Sequence, residues 1–493
     1  MDVSGSPRRD FLRRIAGLLG AAASLALAPS LAGARQLAGS LDAIRGKIIR
    51  RGDADFESWR ASMVWYLFKP RRYPRMIVRA ASEQDVIEAV RYARDNGLRI
   101  TVRATGHNPA RAVLRDDGLL IDLSGLREVE IDSASRTAWV QPGIRSEEFI
   151  ELTRHHGLAF PAAHTGIVGL GGYLTGGGLG WNMPEWGIAC HSILAAEIIT
   201  ADGEKVLASA DENSDLLWAL RGAGPGFFAA IVRYRLQLFP LPQAITKSKY
   251  LVPVRELDKV TAALETLALH KQQRLELLAV IGRFYPPGKP VEERELVCAI
   301  SAVAFGDTRD DALSLLEPVD SSVIPALSVL KKEHVQMSFP ELFEGQETDY
   351  SSPLRTAVEN IWTDQPGAAL KALAERIQQT PPRSPQSFVL SAWGFNPGKP
   401  DQDMSFTNTA PHYVSWYLMA SSEADIEPNF QWMDEAVELL KPLSRGHYIN
   451  EIDPARYPAH VRECFAPAKW ERMQQLRKKH DPQNVFHAWL GHT

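Results

Sequence analysis

The chain has 493 residues, 45% of them hydrophobic and 23% charged, with a formal charge of -4. That length buries a large core, in two domains or one elaborate one, and the near balance of charge argues against nucleic acid and for a small-molecule substrate. Three scattered cysteines (Cys190, Cys298, Cys464) exclude a disulfide framework.

Residues 6–14, SPRRDFLRR, form a basic stretch, and residues 15–34 an apolar one rich in Ala and Gly that ends in Ala-Gly-Ala. That order predicts a signal peptide, and the Arg8-Arg9 pair before Asp10-Phe11-Leu12 resembles a twin-arginine signal for export to the periplasm or beyond.

From Met76 the pattern alternates between strand and helix. MIVRA (76–80) is β-branched, Ser82 and Asp85 read as a capping box, Gly97 as a helix stop, and RITVRA (99–104) as a second strand. Further strands are expected at 118–126 and 137–144, and a helix over 146–157. Ala-Asp-Gly inside AAEIITADGEKVLAS (195–209) predicts a hairpin, and a helix over 215–222 precedes a strand over 229–239.

Two segments are too glycine-rich for an ordinary core: RATGHNPA (103–110) and HTGIVGLGGYLTGGGLG (164–180), which holds eight glycines. Tight turns would account for two or three of these; the remainder suit backbone that approaches a phosphate-bearing cofactor closely. A Rossmann site is disfavoured, because GPGFFA (224–229) follows a helix and leads into a strand, the reverse of the required order. GxxxxGK[ST], HExxH and GxSxG are all missing, so no metal site is expected and the commonest phosphate-loop and hydrolase chemistries drop out.

These two loops, with GIACHSILAAEIITADGE (187–204), DLLWALRGAGPGFF (215–228), HYINEID (447–453) and LRKKHDPQNVF (476–486), resemble the FAD-linked oxidases of the vanillyl-alcohol oxidase and p-cresol methylhydroxylase type. The last two segments resemble the berberine-bridge-enzyme-like branch. The resemblance implies an α+β protein: a signal at 1–34, a two-part FAD-binding domain at 35–245, a substrate domain of antiparallel sheet and helices at 246–445, and a C-terminal segment at 446–493 that returns to the FAD domain.

It further implies that His107 bonds covalently to the flavin, with Arg103, Ala104, Thr105, Gly106 and Asn108 around it. Thr165, Gly166, Val168, Gly169, Gly171, Gly172, Gly176, Gly177, Gly178, Ile199 and Asn450 would complete the FAD site. Thr165 stands where a second, cysteinyl link would need cysteine, so a single bond is expected; Cys190 reads as a packed thiol. Val168 falls at the family's oxygen gatekeeper position, which favours an oxidase yielding hydrogen peroxide over a dehydrogenase feeding a periplasmic acceptor. Where the family carries a tyrosine base, this chain has Glu451, so Glu451 leads as base with Tyr448 in reserve, and a catalytically silent flavoprotein stays open. His412, Tyr413, Trp416 and Tyr417 are candidates for the substrate pocket, and GIRSEEF (143–149) and LRKKHDPQNVF are expected only to support structure. The substrate itself, whether alcohol, sugar, amine or phenol, is not written in these motifs.

Overall fold

A computed structural model describes residues 41–349, 352–394, 403–407 and 410–492. The signal expected at 1–34 lies outside the described residues.

Short β-branched runs build the first sheet: β1 (Lys47–Arg50), β2 (Met76–Arg79), β3 (Ile100–Arg103) and β4 (Leu119–Asp122), in the order β1-β2-β4-β3. β4 pairs parallel with both β2 and β3 and is buried along its whole length, as expected of a central parallel strand. Its last residue, Asp122, is a buried carboxylate, tolerated because Arg79 and Arg103 both donate to it, at 2.8 and 2.6 Å. The helix Glu83–Asp95 joins β2 to β3. Ser82 caps it by accepting from the Asp85 amide, and Gly97, at φ +64°, ends it. The expected capping box forms only in half: the Asp85 carboxylate accepts from the amides of Ala81, Arg45 and Gly46 and so ties the entry loop to the helix.

The second sheet is antiparallel throughout, with β5 (Val129–Asp132), β6 (Thr137–Val140), β8 (Ile193–Ile199), β9 (Lys205–Ser209) and β10 (Ala230–Gln237) in the order β5-β6-β10-β8-β9. The β8–β9 hairpin closes where Ala-Asp-Gly predicted it, with Gly203 at φ +74°. Two short strands, β7 (Leu158–Ala159) and β11 (Phe239–Pro240), pair between the sheets in sequence.

Seven strands form the third sheet: β12 (Ala244–Pro253), β13 (Leu275–Tyr285), β14 (Glu295–Gly306), β15 (Leu330–Met337), β16 (Arg355–Thr363), β17 (Phe388–Ala392) and β18 (His412–Met419). Their order is β15-β12-β14-β13-β17-β18-β16, and every pairing is antiparallel. The period of two divides β18 between two environments. Val414, Trp416 and Leu418 join the core beneath the helices Leu257–His270, Pro366–Gln379 and Ile426–Leu440, whereas Tyr413 and Tyr417 turn to the opposite face.

The C-terminal segment returns to the first sheet. Ile100 donates its amide to Val485 and accepts from the amide of His487, so residues 485–487 lie parallel beside the start of β3. Trp489 lies where a Cβ on Gly226 would stand 2.1 Å from its ring, and its indole donates to Ala223 at 2.9 Å.

Candidate active site

The chain leaves β3 at Arg103 and turns at once, because Gly106 sits at φ +78° with the Met63 carbonyl so near that a Cβ would come within 2.2 Å of it. This turn presents His107. Trp65 stacks on the imidazole at 4.6 Å, and Tyr66 donates its phenolic hydrogen to the His107 carbonyl at 2.9 Å. His107 Nε2 is buried without a hydrogen-bond partner. Burial first, then the charges of Arg355, Arg145 and Arg103, pushes the imidazole down to about 3, so it is neutral at ordinary pH.

The second glycine loop packs directly on this turn. Gly169 donates to Thr105 Oγ1 at 2.9 Å, and any Cβ on it would meet the Thr105 methyl at 2.4 Å. Ser146 holds the loop's other end by donating its amide and its hydroxyl to the Val168 carbonyl. GIRSEEF therefore has a positioning task at the site as well as the helical one expected of it.

Between these loops and the open face of the seven-stranded sheet lies a cavity of about 350 Å³. Of the residues expected at the site, 103–108, Thr165, Val168, Gly169, Gly171, Gly172, Tyr448, Asn450 and Glu451 are brought together on its lining. Five predicted cofactor residues lie elsewhere. Gly166 packs under Glu147, and Gly176, Gly177 and Gly178 are small because Asn450, Phe406 and Tyr173 press on them. Ile199 is buried at the end of β8. Of the four aromatic candidates on β18, Tyr413 and Tyr417 line the cavity; Trp416 faces Met433 on the helical side, and His412 instead accepts from the Gly394 amide at 3.1 Å. Cys190 is a packed thiol as expected, 3.9 Å from Met404 Sδ and pushed up to about 12 by burial.

Glu451 is held from two sides. Asn360 on β16 donates to the carbonyls of Tyr448 and Glu451 and accepts from the Tyr448 amide, which fixes the turn Ile449–Glu451. Tyr413 and Tyr417 both donate their phenolic hydrogens to Glu451 Oε2, the latter at 2.7 Å. Glu451 is thus a half-buried carboxylate aimed into the cavity. Tyr448 is committed otherwise: its phenolic oxygen accepts from the Gly178 amide and from Asn450 Nδ2, each at 3.0 Å, and burial raises its pKa. The geometry favours Glu451 over Tyr448 as the proton acceptor.

Sequence reasoning missed several lining residues. Arg355 opens β16 with its guanidinium 4.4 Å over the Tyr417 ring, and nothing in the mixed sequence of that strand singled it out. Tyr66, in WYLF, carried no signal either. Phe486 and His487 line the far end of the cavity, so LRKKHDPQNVF contributes to the site beyond structural support.

The cradle suits a flavin dinucleotide: a neutral imidazole with an orphaned nitrogen beside glycines that admit no side chain, on the lining of the cavity. Comparison with known proteins agrees. Residues 74–209 match the FAD binding domain family. The chain is 28% identical to FAD-linked oxidoreductase janO of Penicillium janthinellum over 436 residues, 87% of this chain and 94% of that protein. It is 36% identical to (R)-6-hydroxynicotine oxidase of Paenarthrobacter nicotinovorans over 200 residues, 41% of this chain and 43% of that one. Among solved structures, berberine bridge enzyme from Eschscholzia californica superposes with a TM-score of 0.76 at 22% identity, covering 90% of this chain and 96% of that one. Physcomitrella patens BBE-like 1 gives 0.76 at 19%, covering 91% and 97%. The fold is the FAD-binding fold of the p-cresol methylhydroxylase type, joined to the seven-stranded sheet.

Proposed function

Since the chain is an FAD-dependent oxidoreductase, we propose that it oxidises a small organic molecule, with FAD bonded through a single covalent link to His107 and O2 as the final acceptor. Bound in the cavity, the flavin would supply the hydride acceptor and the route of two electrons to O2, giving hydrogen peroxide. The observation that carries this reading is that one cavity is lined by both the unpartnered neutral imidazole of His107 and the carboxylate of Glu451.

Each group has its own task. A neutral nitrogen is the form that can bond to carbon, and burial, aided by its cationic neighbours, keeps His107 unprotonated. Trp65 and the Tyr66 hydroxyl fix the ring and its backbone. Glu451 accepts the proton that leaves the substrate's oxygen or nitrogen, and two phenols hold it in place. Val168, small and half-buried at the lining, supports access of O2. Thr165 lines the cavity without a thiol, which supports a single link. The Arg8-Arg9 pair supports export to the periplasm through a twin-arginine signal.

Acid precipitation of the purified protein tests the link: a pellet that stays yellow supports the His107 bond, and a colourless pellet with yellow supernatant sinks it. Peroxide released during aerobic turnover separates oxidase from dehydrogenase. Export is tested by fractionating cells that express either the unaltered chain or the double variant Arg8→Lys with Arg9→Lys; retention of only the variant in the cytoplasm is the expected result.

A further inference from the structure

The charges on the cavity wall are unequal. Among the described lining residues three guanidinium groups, Arg103, Arg115 and Arg355, face one carboxylate, Glu451. Arg103 is neutralised by Asp122 at 2.6 Å. Arg115 donates to the carbonyls of Ala112 and Ala488 near the Phe486 end, away from the Glu451 turn. Arg355 is different, since its Nε is buried with no partner and its guanidinium lies between the rings of Tyr417, at 4.4 Å, and Tyr66, at 6.0 Å. Two aromatic faces hold the cation in place and leave its edge, where the N–H donors point, without a bound acceptor at Nε.

A second cation stands behind it. Arg111 donates to the carbonyls of Arg355 and Thr356 and stacks on Tyr66 at 5.1 Å. Glu451 acts on Arg355 and Asp453 on Arg111, so both cations are countered in charge, and it is the Arg355 Nε–H, buried without an acceptor, that favours a ligand carrying an anionic acceptor. A planar fork of donors matches a carboxylate.

The placement also sets a spacing. Tyr417 carries Arg355 over its ring and Glu451 at its hydroxyl, so the anion anchor and the proton acceptor are separated by roughly one tyrosine ring. Building on the oxidation proposed above and taking the oxidised group to be an alcohol, we propose that the substrate is an aryl carboxylate or a compound of similar reach, with its carboxylate on Arg355 and its hydroxyl, across a ring, on Glu451. The aromatic side chains of Trp65, Tyr66 and Tyr413 supply the walls such a ring would contact.

The test uses the flavin-loaded enzyme and two probes that differ only in charge, 4-(hydroxymethyl)benzoate and 4-(hydroxymethyl)benzamide, titrated anaerobically by calorimetry and by the flavin spectrum. The benzoate is expected to bind at least tenfold more tightly than the amide. Arg355→Met abolishes that preference and Arg355→Lys keeps part of it, with flavin content and melting temperature near wild type as the control for folding. Equal binding of the two probes, or a preference that survives in Arg355→Met, overturns the proposal. The two readings fail separately: Arg355-dependent benzoate binding without flavin bleaching by any alcohol leaves the carboxylate site standing and removes the oxidation. Bleaching by neutral alcohols that Arg355→Met does not alter does the reverse.

Discussion

Tyr417 donates its phenolic hydrogen to Glu451 at 2.7 Å, and Tyr413 donates to the same carboxylate oxygen. The charge of Glu451, after burial, is one reason both phenols are raised well above the usual tyrosine range; each therefore stays protonated and keeps donating to the carboxylate. With Oε2 fixed by two donors, the carboxylate can accept a substrate proton on Oε1 without moving. Glu451→Gln keeps the volume and an acceptor oxygen but has no charge to receive the proton. Its kcat for flavin reduction is expected to fall about 10²- to 10⁴-fold, the usual contribution of a general base. Anaerobic stopped-flow reduction measures it, and a variant within tenfold of wild type would remove Glu451 from the mechanism.

Gly106→Ala should fail at an earlier stage. The position combines φ +78° with a carbonyl 2.2 Å from where the Cβ would stand, so the Met63 strand of backbone must shift. The torsion alone costs about 1 kcal/mol and the clash adds to it. The turn would carry His107 out of place. The expected outcome is a lower melting temperature together with reduced flavin per mole of protein, read from the absorbance ratio of the purified variant.

Much of this site was legible because local chemistry dictated it. The turn at Gly106, the β8–β9 hairpin and the cap at Ser82 are each decided by residues within a few positions of one another, so the sequence shows them directly. Glu451 was visible as a departure from a motif. What stayed hidden depends on distant pairing. Gly176 is small because Asn450, far along the chain, lies on it, and a glycine that yields to a neighbour looks the same in sequence as one that cradles a phosphate. Arg355 and Tyr66 meet only because β16 packs beside the N-terminal segment, as when the Leu67 amide donates to the Pro353 carbonyl. The split of β18 into a helical face and a cavity face follows from alternation, but its phase is set by the register with β16 and β17.

Asp122→Asn tests how the cradle is braced. The carboxylate is fully buried, and although burial opposes its ionisation, Arg103 and Arg79 together hold its pKa below the ordinary value. A group depressed in the folded state adds stability above its unfolded pKa near ~3.9 and loses it as the pH falls below that value. Asparagine leaves two arginines without a counter-charge, one of them at the base of the His107 turn. Breaking a buried pair in this way costs about 3–5 kcal/mol. Chemical denaturation at pH 7 should show that loss, and a variant within 1 kcal/mol of wild type would mean that water replaces the pair.

His412 gives the protein a stability that depends on pH from the other direction. Burial pushes it down to about 4, against ~6.5 for an unfolded histidine, and its Nδ1 accepts from the Gly394 amide, a bond that protonation would break. Above pH 6.5 both states are neutral and the group contributes nothing. Below that, the unfolded chain takes up a proton that the folded protein refuses, so stability falls as the pH drops toward 4. The loss has a ceiling of about 1.4 kcal/mol per pH unit, and the partial solvation of this half-buried ring brings the total over the window to about 2 kcal/mol. His412→Gln retains an acceptor for Gly394 and cannot titrate. Its melting temperature, compared with wild type at pH 7.5, 6 and 5, should run parallel above pH 6.5 and decline less steeply below it; identical slopes through the whole range would show that His412 opens to solvent and titrates normally.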